Sequence, residues 1–234
     1  QGVFLTDPNN VDALYGHSII KSFVTGQPGV PRKGVGQLSS ALAGRINSIS
    51  FNTQVDRIEG TSAYTSNGIY AAKKILVATD ATTATQLLGL NDVPRMAGCI
   101  TWYHATAENP SGNGRLVVDG SNRGPIINTV VISDISKDYA PAGHNLISTT
   151  TDLSATESDV RRHLATVWQT STHDWQLIAK YEIPAALPLQ TVGRSLSQAM
   201  KISEHHYVAG DHRTVPSQQG ALFSGRLAAQ LILD

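Results

Sequence analysis

The spacing of apolar side chains predicts two amphipathic helices. In the first, over 36–45, the apolar positions at helical spacing are Leu38, Ala41, Leu42 and Ile46. The second is predicted from about 154 to 170, because Ser154 and Glu157 have the spacing of a capping box and an apolar pattern follows them. Further helices are expected over 11–24, 81–88 and 218–233.

Short apolar runs between turn signals predict strands. The run 74–79, with Ile-Leu-Val-Ala at its centre, predicts a strand that is buried on both faces. The pair Asn67-Gly68 is a hairpin signal. The full set of predicted strands is 48–51, 54–59, 61–65, 69–71, 74–79, 98–107, 115–119, 126–133, 145–150, 175–183 and 205–209. This mixed order with a β-rich centre predicts an α+β (mixed α/β) fold, in which helices pack on a mixed, largely antiparallel sheet.

Composition and charge exclude several classes of protein. A length of 234 residues is enough for one large domain or two small ones. Of these residues, 41% are hydrophobic and 15% are charged, so the chain is not expected to be disordered. Acidic and basic residues number 18 each, so the charge balance does not indicate binding to nucleic acid. The apolar runs are too short for a transmembrane segment. Peripheral membrane contact stays open, and the expected location is cytoplasmic, or a plastid if the source is a photosynthetic eukaryote.

The eight histidines do not have the spacing of a metal site. They lack the H-x-x-x-H and H-E-x-x-H patterns, and the one cysteine, Cys99, cannot support a zinc cluster, so no metal is expected. His163 follows Arg161 and Arg162, which predicts a position on a solvated helix face. The sequence also lacks the G-x-S-x-G and Walker A motifs.

The segment 205–229 has the features of a flavin site. Gly210 lets the backbone approach a bulky ligand, and Asp211 at the strand end can accept hydrogen bonds from ribityl hydroxyls. A helix begins near Gly220-Ala221, and its first N–H groups and positive dipole end favour negative charge. The alternative is an ordinary strand–turn–helix in which Asp211 only caps the turn.

The order strand, Gly-Asp, Pro-Ser, Gly-Ala and Ser-Gly in this segment closely resembles the closing FAD motif of flavin amine oxidases and phytoene desaturases. The resemblance implies FAD as the cofactor. It implies that the Asp binds the ribityl-pyrophosphate region and that the helix start contacts the flavin ring. The cofactor-binding residues carried over from the motif are Gly210, Asp211, Pro216, Gln219, Gly220 and Ala221.

The resemblance extends over most of the chain and implies its domain organisation. FNTQVDRIE and KKILVATDA resemble the return of the chain into the FAD domain, where Val55 would contact the adenine end and Ala78 and Thr79 would lie at the nucleotide. The expected parts are substrate-domain helices over 1–47, partial FAD-binding strands over 48–90, a substrate-binding domain over 91–200, and a closing FAD-binding strand and helix over 201–234.

The family opens with a strand, a G-x-G-x-x-G turn and a helix, which this sequence lacks. The chain is therefore expected to be a truncated form that holds little or no FAD by itself and that is inactive in isolation.

The intact protein would oxidise an amine or an apolar, polyene-like substrate by hydride transfer to the flavin, with no catalytic base assigned. Trp102 and Tyr103 are candidates for a substrate-facing wall, with core packing as the alternative. A second hypothesis is a non-catalytic module that holds an apolar ligand or pairs with a separate nucleotide-binding subunit.

Overall fold

A computed structural model describes residues 2–27 and 29–234. The chain divides into two compact units, which we call unit 1 and unit 2. Unit 1 comprises the segment that ends at Pro8, Thr25–Asn47 and Ala97–Ala186. Unit 2 comprises Asn9–Val24, Ser48–Met96 and Leu187–Asp234. Each unit is therefore built from three separate stretches of the sequence.

The described residues contain both helices and strands, as the apolar pattern predicts. The helices are α1 (Ala13–Thr25), α2 (Gly36–Ala43), α3 (Ala81–Leu88), α4 (Ile132–Ile135), α5 (Glu157–Trp168) and α6 (Gln218–Leu233). The strands are β1 (Val55–Glu59), β2 (Ser62–Thr65), β3 (Gly68–Ala71), β4 (Ile75–Val77), β5 (Met96–Thr106), β6 (Ile126–Val131), β7 (Asn145–Thr151), β8 (Gln176–Pro188) and β9 (His206–Val208). The predicted α+β class is confirmed.

Unit 1 is organised around a four-stranded sheet in the order β6-β7-β5-β8. The central strand β7 pairs antiparallel with both β5 and β6. Alternate side chains of the sheet face α5 and form one continuous core. The buried members of this core are Ile100, Trp102, Ile126, Val131, Ile147, Ala155, Val160, Leu164 and Trp175. Cys99 on β5 is also buried, and burial raises the pKa of its thiol.

Unit 2 contains two small sheets. Strands β1, β2 and β3 form an antiparallel sheet, whereas β4 and β9 pair in parallel, with Val77 opposite Val208. Val77, Ala84 and Val208 form a small core against which Ile58 of β1 packs. Residues more than 100 positions apart in the sequence are thus paired in one small sheet. None of the described helices has the length and hydrophobicity needed to cross a bilayer.

Two of the predicted strands are wrong. Residues 48–51 form no strand, and the side chains of Ile49 and Phe51 are exposed, because this stretch has no strand beside it to pair with. The stretch 115–119 is reduced to one bridge, between Val117 and Thr129. A run of β-forming residues predicts a strand only where the fold supplies a partner.

The start of α5 also differs from the prediction. The residue that caps the helix is Thr156, whose hydroxyl accepts a hydrogen bond from the N–H of Asp159 at 3.3 Å. Ser154 instead donates both its N–H and its hydroxyl to the carboxylate of Asp152. Because Ser154 is hydrogen-bonded to Asp152, the N-terminal cap of α5 is Thr156, two residues further along the chain.

The predicted solvated position of His163 is wrong. Its side chain is only 2% exposed, and its Nε2 lies 2.8 Å from the Asp119 carboxylate, 44 residues away in the sequence. Its Nδ1 accepts a hydrogen bond from the N–H of Ile126 at 3.1 Å. Both ring nitrogens therefore have hydrogen-bond partners, which offset the desolvation free energy of burying the ring. Of the two arginines before it, Arg162 is exposed, whereas Arg161 is partly buried.

Candidate functional site

The candidate site lies in unit 2, where the parallel strands β4 and β9 end side by side. The N–H of Ala209 donates to the carbonyl of Val77 at 2.9 Å, so the pairing continues past the last strand residues. Ala78 and Thr79 follow β4, and Gly210 and Asp211 follow β9. Ligands of open parallel sheets bind outside such carboxyl ends. We call these four residues and Asp80 the strand-end edge.

Asp211 is a half-buried carboxylate at this edge. It begins a single helical turn, Asp211–Arg213, and the N–H of His212 hydrogen-bonds to it. Burial raises the pKa of Asp211 above its ordinary value, although these backbone hydrogen bonds oppose the rise. A carboxylate that has lost part of its hydration gains when a ligand brings hydroxyl donors to it.

Gly210 is required by the packing of its own turn. A β-carbon at this position would overlap the imidazole ring of His212. The N–H of Gly210 donates to the hydroxyl of Ser224 at 2.9 Å, and that hydroxyl donates to the carbonyl of Ala221 at 2.7 Å. The end of β9 is thereby fastened to the first turns of α6.

The start of α6 is held by short-range hydrogen bonds. Ser217 caps the helix by accepting from the N–H of Gly220 at 2.9 Å. A β-carbon on Gly220 would overlap the carbonyl oxygen of Val215, and the Thr214 hydroxyl donates to the Gly220 carbonyl. The packing of the preceding turn therefore requires a residue without a side chain at position 220. Gln219 and Ala221, on either side of it, are exposed.

Pro216 is buried just before this helix. Its carbonyl accepts a hydrogen bond from the hydroxyl of Tyr15 on α1 at 3.0 Å. Burial raises the pKa of Tyr15, and the negative charge of Asp211 raises it further, so the phenol stays protonated. Tyr15 thus ties α1 to the segment just ahead of α6.

A second helix begins directly at the strand-end edge. The Asp80 carboxylate caps α3 by accepting from the N–H groups of Thr82 and Thr83, at 2.9 and 3.1 Å. The hydrogen bond from the Thr83 side chain lowers the pKa of Asp80. Ala78 and Thr79, just ahead of this cap, are exposed. Both helices begin close to the strand ends, where the positive ends of their dipoles favour negative charge on a ligand.

The other predicted site residues lie on strands β1 and β5. Val55 begins β1 in the antiparallel sheet, where it pairs with Thr65. Trp102 and Tyr103 lie on β5 of unit 1. Trp102 is 2% exposed in the core, and its indole N–H donates to the Thr151 hydroxyl. Tyr103 is half-buried, with its ring edge-to-face against Tyr181 at a centroid distance of 6.0 Å.

Sequence reasoning missed two buried side chains next to Asp211. His212 is 3% exposed, and neither ring nitrogen has a hydrogen-bond partner among the described residues. Burial lowers its pKa to about 4, and the charge of Arg213 contributes. Arg213 is 2% exposed and binds the Asp92 carboxylate. The sequence signal was adjacent charge on a predicted turn, which is ordinarily read as solvated.

The donor and acceptor set at the strand-end edge suits a polyhydroxylated ligand that also carries negative charge. Asp211 offers oxygen acceptors for hydroxyl groups, and the two helix starts favour an anionic group. In the described part of the chain, His, Cys, Asp and Glu side chains form no cluster of three or more that could hold a metal ion. The residues present therefore fit the sugar-like and phosphate-bearing portion of a dinucleotide such as FAD.

Comparisons with known proteins identify a matching family and similar folds. The sequence profile of the family described as flavin containing amine oxidoreductase matches residues 1–233. No curated protein matched the chain.

Three similar solved structures show the same fold. An oxidoreductase from Methanosarcina mazei is 13% identical with a TM-score of 0.71, and the match covers 99% of this chain and 62% of that one. A reduced UDP-galactopyranose mutase is 17% identical with a TM-score of 0.69, over 87% of this chain and 52% of that one. A protein assigned as a protoporphyrinogen oxidase from Exiguobacterium sp. 255-15 is 17% identical with a TM-score of 0.68, over 87% and 51%. The chain thus spans about half to three-fifths of their length.

Proposed function

Because the chain belongs to the flavin-containing amine oxidoreductase family, we propose that the intact protein is an FAD-dependent oxidoreductase. Bound FAD would supply the chemistry by accepting a hydride equivalent from the substrate, while the protein binds and orients the reactants. The observation that carries this proposal is the half-buried Asp211 at the carboxyl ends of two parallel strands, beside the start of α6.

The proposed roles follow the chemistry of each residue. Asp211 accepts hydrogen bonds from ribityl hydroxyls, and Gly210 allows the backbone to approach. The start of α6, with Pro216 ahead of it and its residues Gln219, Gly220 and Ala221, contacts the flavin ring, where the helix dipole stabilises negative charge on the reduced ring.

Ala78, Thr79 and Val55 complete the proposed cofactor site. Ala78 and Thr79 lie at the nucleotide, and their exposure at the strand-end edge supports this assignment. Val55 contacts the adenine end through its backbone. Unit 2 contains both segments assigned to FAD binding, 48–90 and 201–234.

The proposed substrate is an amine or an apolar, polyene-like molecule, bound by the segment 91–200. Trp102 and Tyr103 are proposed to contribute to its aromatic wall. The partly exposed ring of Tyr103, stacked edge-to-face with Tyr181, is the better supported of the two, because Trp102 packs in the core of unit 1.

The dinucleotide-binding G-x-G-x-x-G unit is proposed to be supplied by residues other than the 234 of this sequence. That unit holds the pyrophosphate and ribose in folds of this type, so it contributes much of the affinity. We expect the 234-residue chain to purify with little or no FAD, as measured by flavin absorbance against protein concentration. A stoichiometric flavin on this chain alone would contradict the proposal that the unit lies elsewhere.

The test of the FAD site is Asp211→Ala in the flavin-carrying form of the protein. Losing hydrogen bonds from ribityl hydroxyls to a carboxylate costs roughly 1.5–3 kcal/mol, so FAD should bind about ten- to hundredfold more weakly. Asp211→Asn should be milder, because the amide keeps one acceptor oxygen in nearly the same place. FAD titration of the apo protein, with melting curves alongside, measures both effects.

A matched control is Asp174→Ala, which removes a carboxylate that is 97% exposed in unit 1. It should leave both FAD affinity and melting temperature unchanged. If Asp211 only caps its turn, both Asp211 variants should melt earlier while binding FAD as the unmodified protein does. That pattern would remove the assignment of the flavin site to this edge and favour the non-catalytic binding module.

A further inference from the structure

Asp211 begins a turn whose next two residues are held by two arginines and one aspartate. We propose that Arg213, Arg194 and Asp92, which we call the arginine clamp, are positioning residues that fix the Asp211 carboxylate where it binds the cofactor. None of the three belongs to the closing motif by which the segment was identified. The inference rests on the proposed function, because it concerns the affinity of the same site.

The first half of the clamp is the side chain of Arg213. Its Nη1 lies 2.7 and 2.9 Å from the two carboxylate oxygens of Asp92, which is 121 residues away in the sequence. Its Nε donates to the carbonyl of Ala199 at 3.1 Å, and its Nη2 donates to the same carbonyl. The guanidinium is thus satisfied by a carboxylate and a carbonyl in a fixed planar geometry, which lysine cannot reproduce.

The second half is Arg194, which joins the same aspartate to the turn itself. One terminal nitrogen donates to the backbone carbonyl of Asp92 at 3.1 Å, and the other to the carbonyl of His212 at 3.2 Å. Burial alone would raise the pKa of Asp92, but the hydrogen bond from Arg213 and the two positive charges hold it below its ordinary value. Asp92 is therefore ionised at neutral pH and bridges both arginines.

These contacts act on the two residues that directly follow Asp211. Arg194 holds the backbone of His212, and the side chain of Arg213 is anchored to two other segments of unit 2. The backbone of Arg213 is fixed as well, because its carbonyl accepts from the N–H of Gln198 at 2.9 Å. Asp211 is half-buried, and no salt bridge is formed by its carboxylate among the described residues. Its direction is therefore set by the turn that the clamp holds.

The clamp is separable from ordinary structural support by conservative variants. Asp92→Asn keeps the shape of the side chain and removes its charge. Arg213→Lys keeps the positive charge and removes the planar guanidinium with its several N–H donors. The matched control is Arg161→Lys in unit 1. Arg161 is also partly buried, and it donates to the Glu157 carboxylate and the Thr172 carbonyl, each at 2.8 Å.

Two measurements are made on each variant. The first is the dissociation constant for FAD in the flavin-carrying form of the protein. Removing groups that orient metal ligands typically weakens metal binding by about ten- to hundredfold. By analogy we expect FAD binding about tenfold weaker for each clamp variant and unchanged for Arg161→Lys. The second uses the 234-residue chain without flavin: the Asp211 carboxyl carbon is titrated by NMR, and its midpoint should fall in the clamp variants as the turn loosens and the carboxylate gains water.

The outcomes distinguish this inference from the proposed function. Weaker FAD binding together with a lowered Asp211 midpoint supports the clamp. Unchanged values for both clamp variants, with Asp211→Ala still losing FAD, would overturn the clamp and leave the flavin site standing. If Asp211→Ala binds FAD normally, the proposed site fails, and so does the positioning role. Weaker FAD binding in the clamp variants without a shift of the Asp211 midpoint would reduce the arginines to structural support.

Discussion

Units 1 and 2 are stabilised in different ways. Among residues 2–27 and 29–234, unit 1 has one core of nine buried side chains between its sheet and α5. Over the same residues, unit 2 has two small clusters of three buried residues each, and its candidate site is held by hydrogen bonds and an ion pair that join distant segments. A large apolar core tolerates the loss of a single polar contact, whereas a unit with little apolar burial depends on such contacts. The part of the molecule held mainly by polar contacts is therefore the part where a charged ligand is proposed to bind.

The largest expected effect is on the core of unit 1. Leu164 on α5 is fully buried, so Leu164→Ala should lower the free energy of unfolding of this unit by about 4 kcal/mol through lost burial and a cavity. All three tryptophans, Trp102, Trp168 and Trp175, belong to unit 1, so denaturant unfolding followed by tryptophan fluorescence reports on it alone. A loss below about 1 kcal/mol would show that the core is loosely packed and would break the comparison.

Acid should destabilise unit 1 through His104. Its ring is fully buried with both nitrogens unpaired among the described residues, and burial, followed by the charge of Arg161, lowers its pKa to about 4. Between pH 6.5 and 4 the unfolded chain takes up a proton that the folded unit does not, so stability falls as pH falls, by up to about 3 kcal/mol.

The matched variant His104→Phe removes the titrating group and keeps an aromatic ring against Trp175. Its stability, followed by tryptophan fluorescence, should fall less steeply between pH 6.5 and 4 than that of the unmodified protein. Parallel curves for the two proteins would contradict the assigned burial of His104.

The smallest expected effect concerns one buried hydroxyl in each unit. Ser224→Ala removes the acceptor for the Gly210 N–H and should lower the stability of β9 against hydrogen exchange by about 2 kcal/mol. Ser133 in unit 1 likewise accepts the N–H of Leu146, but it lies beside the larger core, so Ser133→Ala should cost about 1 kcal/mol. Equal losses would mean that the units do not differ in their dependence on polar contacts.

The sequence predicts the parts of this fold that depend on local pattern. The apolar spacing of α5 and the short apolar run Ile75–Val77 of β4 are visible without any knowledge of their partners. The strand–turn–helix that carries Gly210 and Asp211 is also visible, because its small and acidic residues follow one another within a few positions. The residues that predict the turn are therefore the same residues that predict the cofactor contact.

The sequence does not predict contacts between distant segments. His163 is read as exposed because Arg161 and Arg162 precede it, and its partner Asp119 lies on a separate loop 44 residues away. The pairing of Arg213 with Asp92 spans 121 residues and has no periodic signal. Ion pairs of this kind are set by the topology, so they become visible only once the strands are in place.

The buried Cys99 on β5 can report how often the interior of unit 1 opens to solvent. It is the one cysteine in the chain, and burial both shields its thiol and raises its pKa. A thiol reagent can therefore label it only while β5 is transiently uncovered, so the labelling rate measures how often the interior of unit 1 opens. Because a single sulfur reacts, each molecule gains one mass increment, and the fraction that has opened can be counted directly.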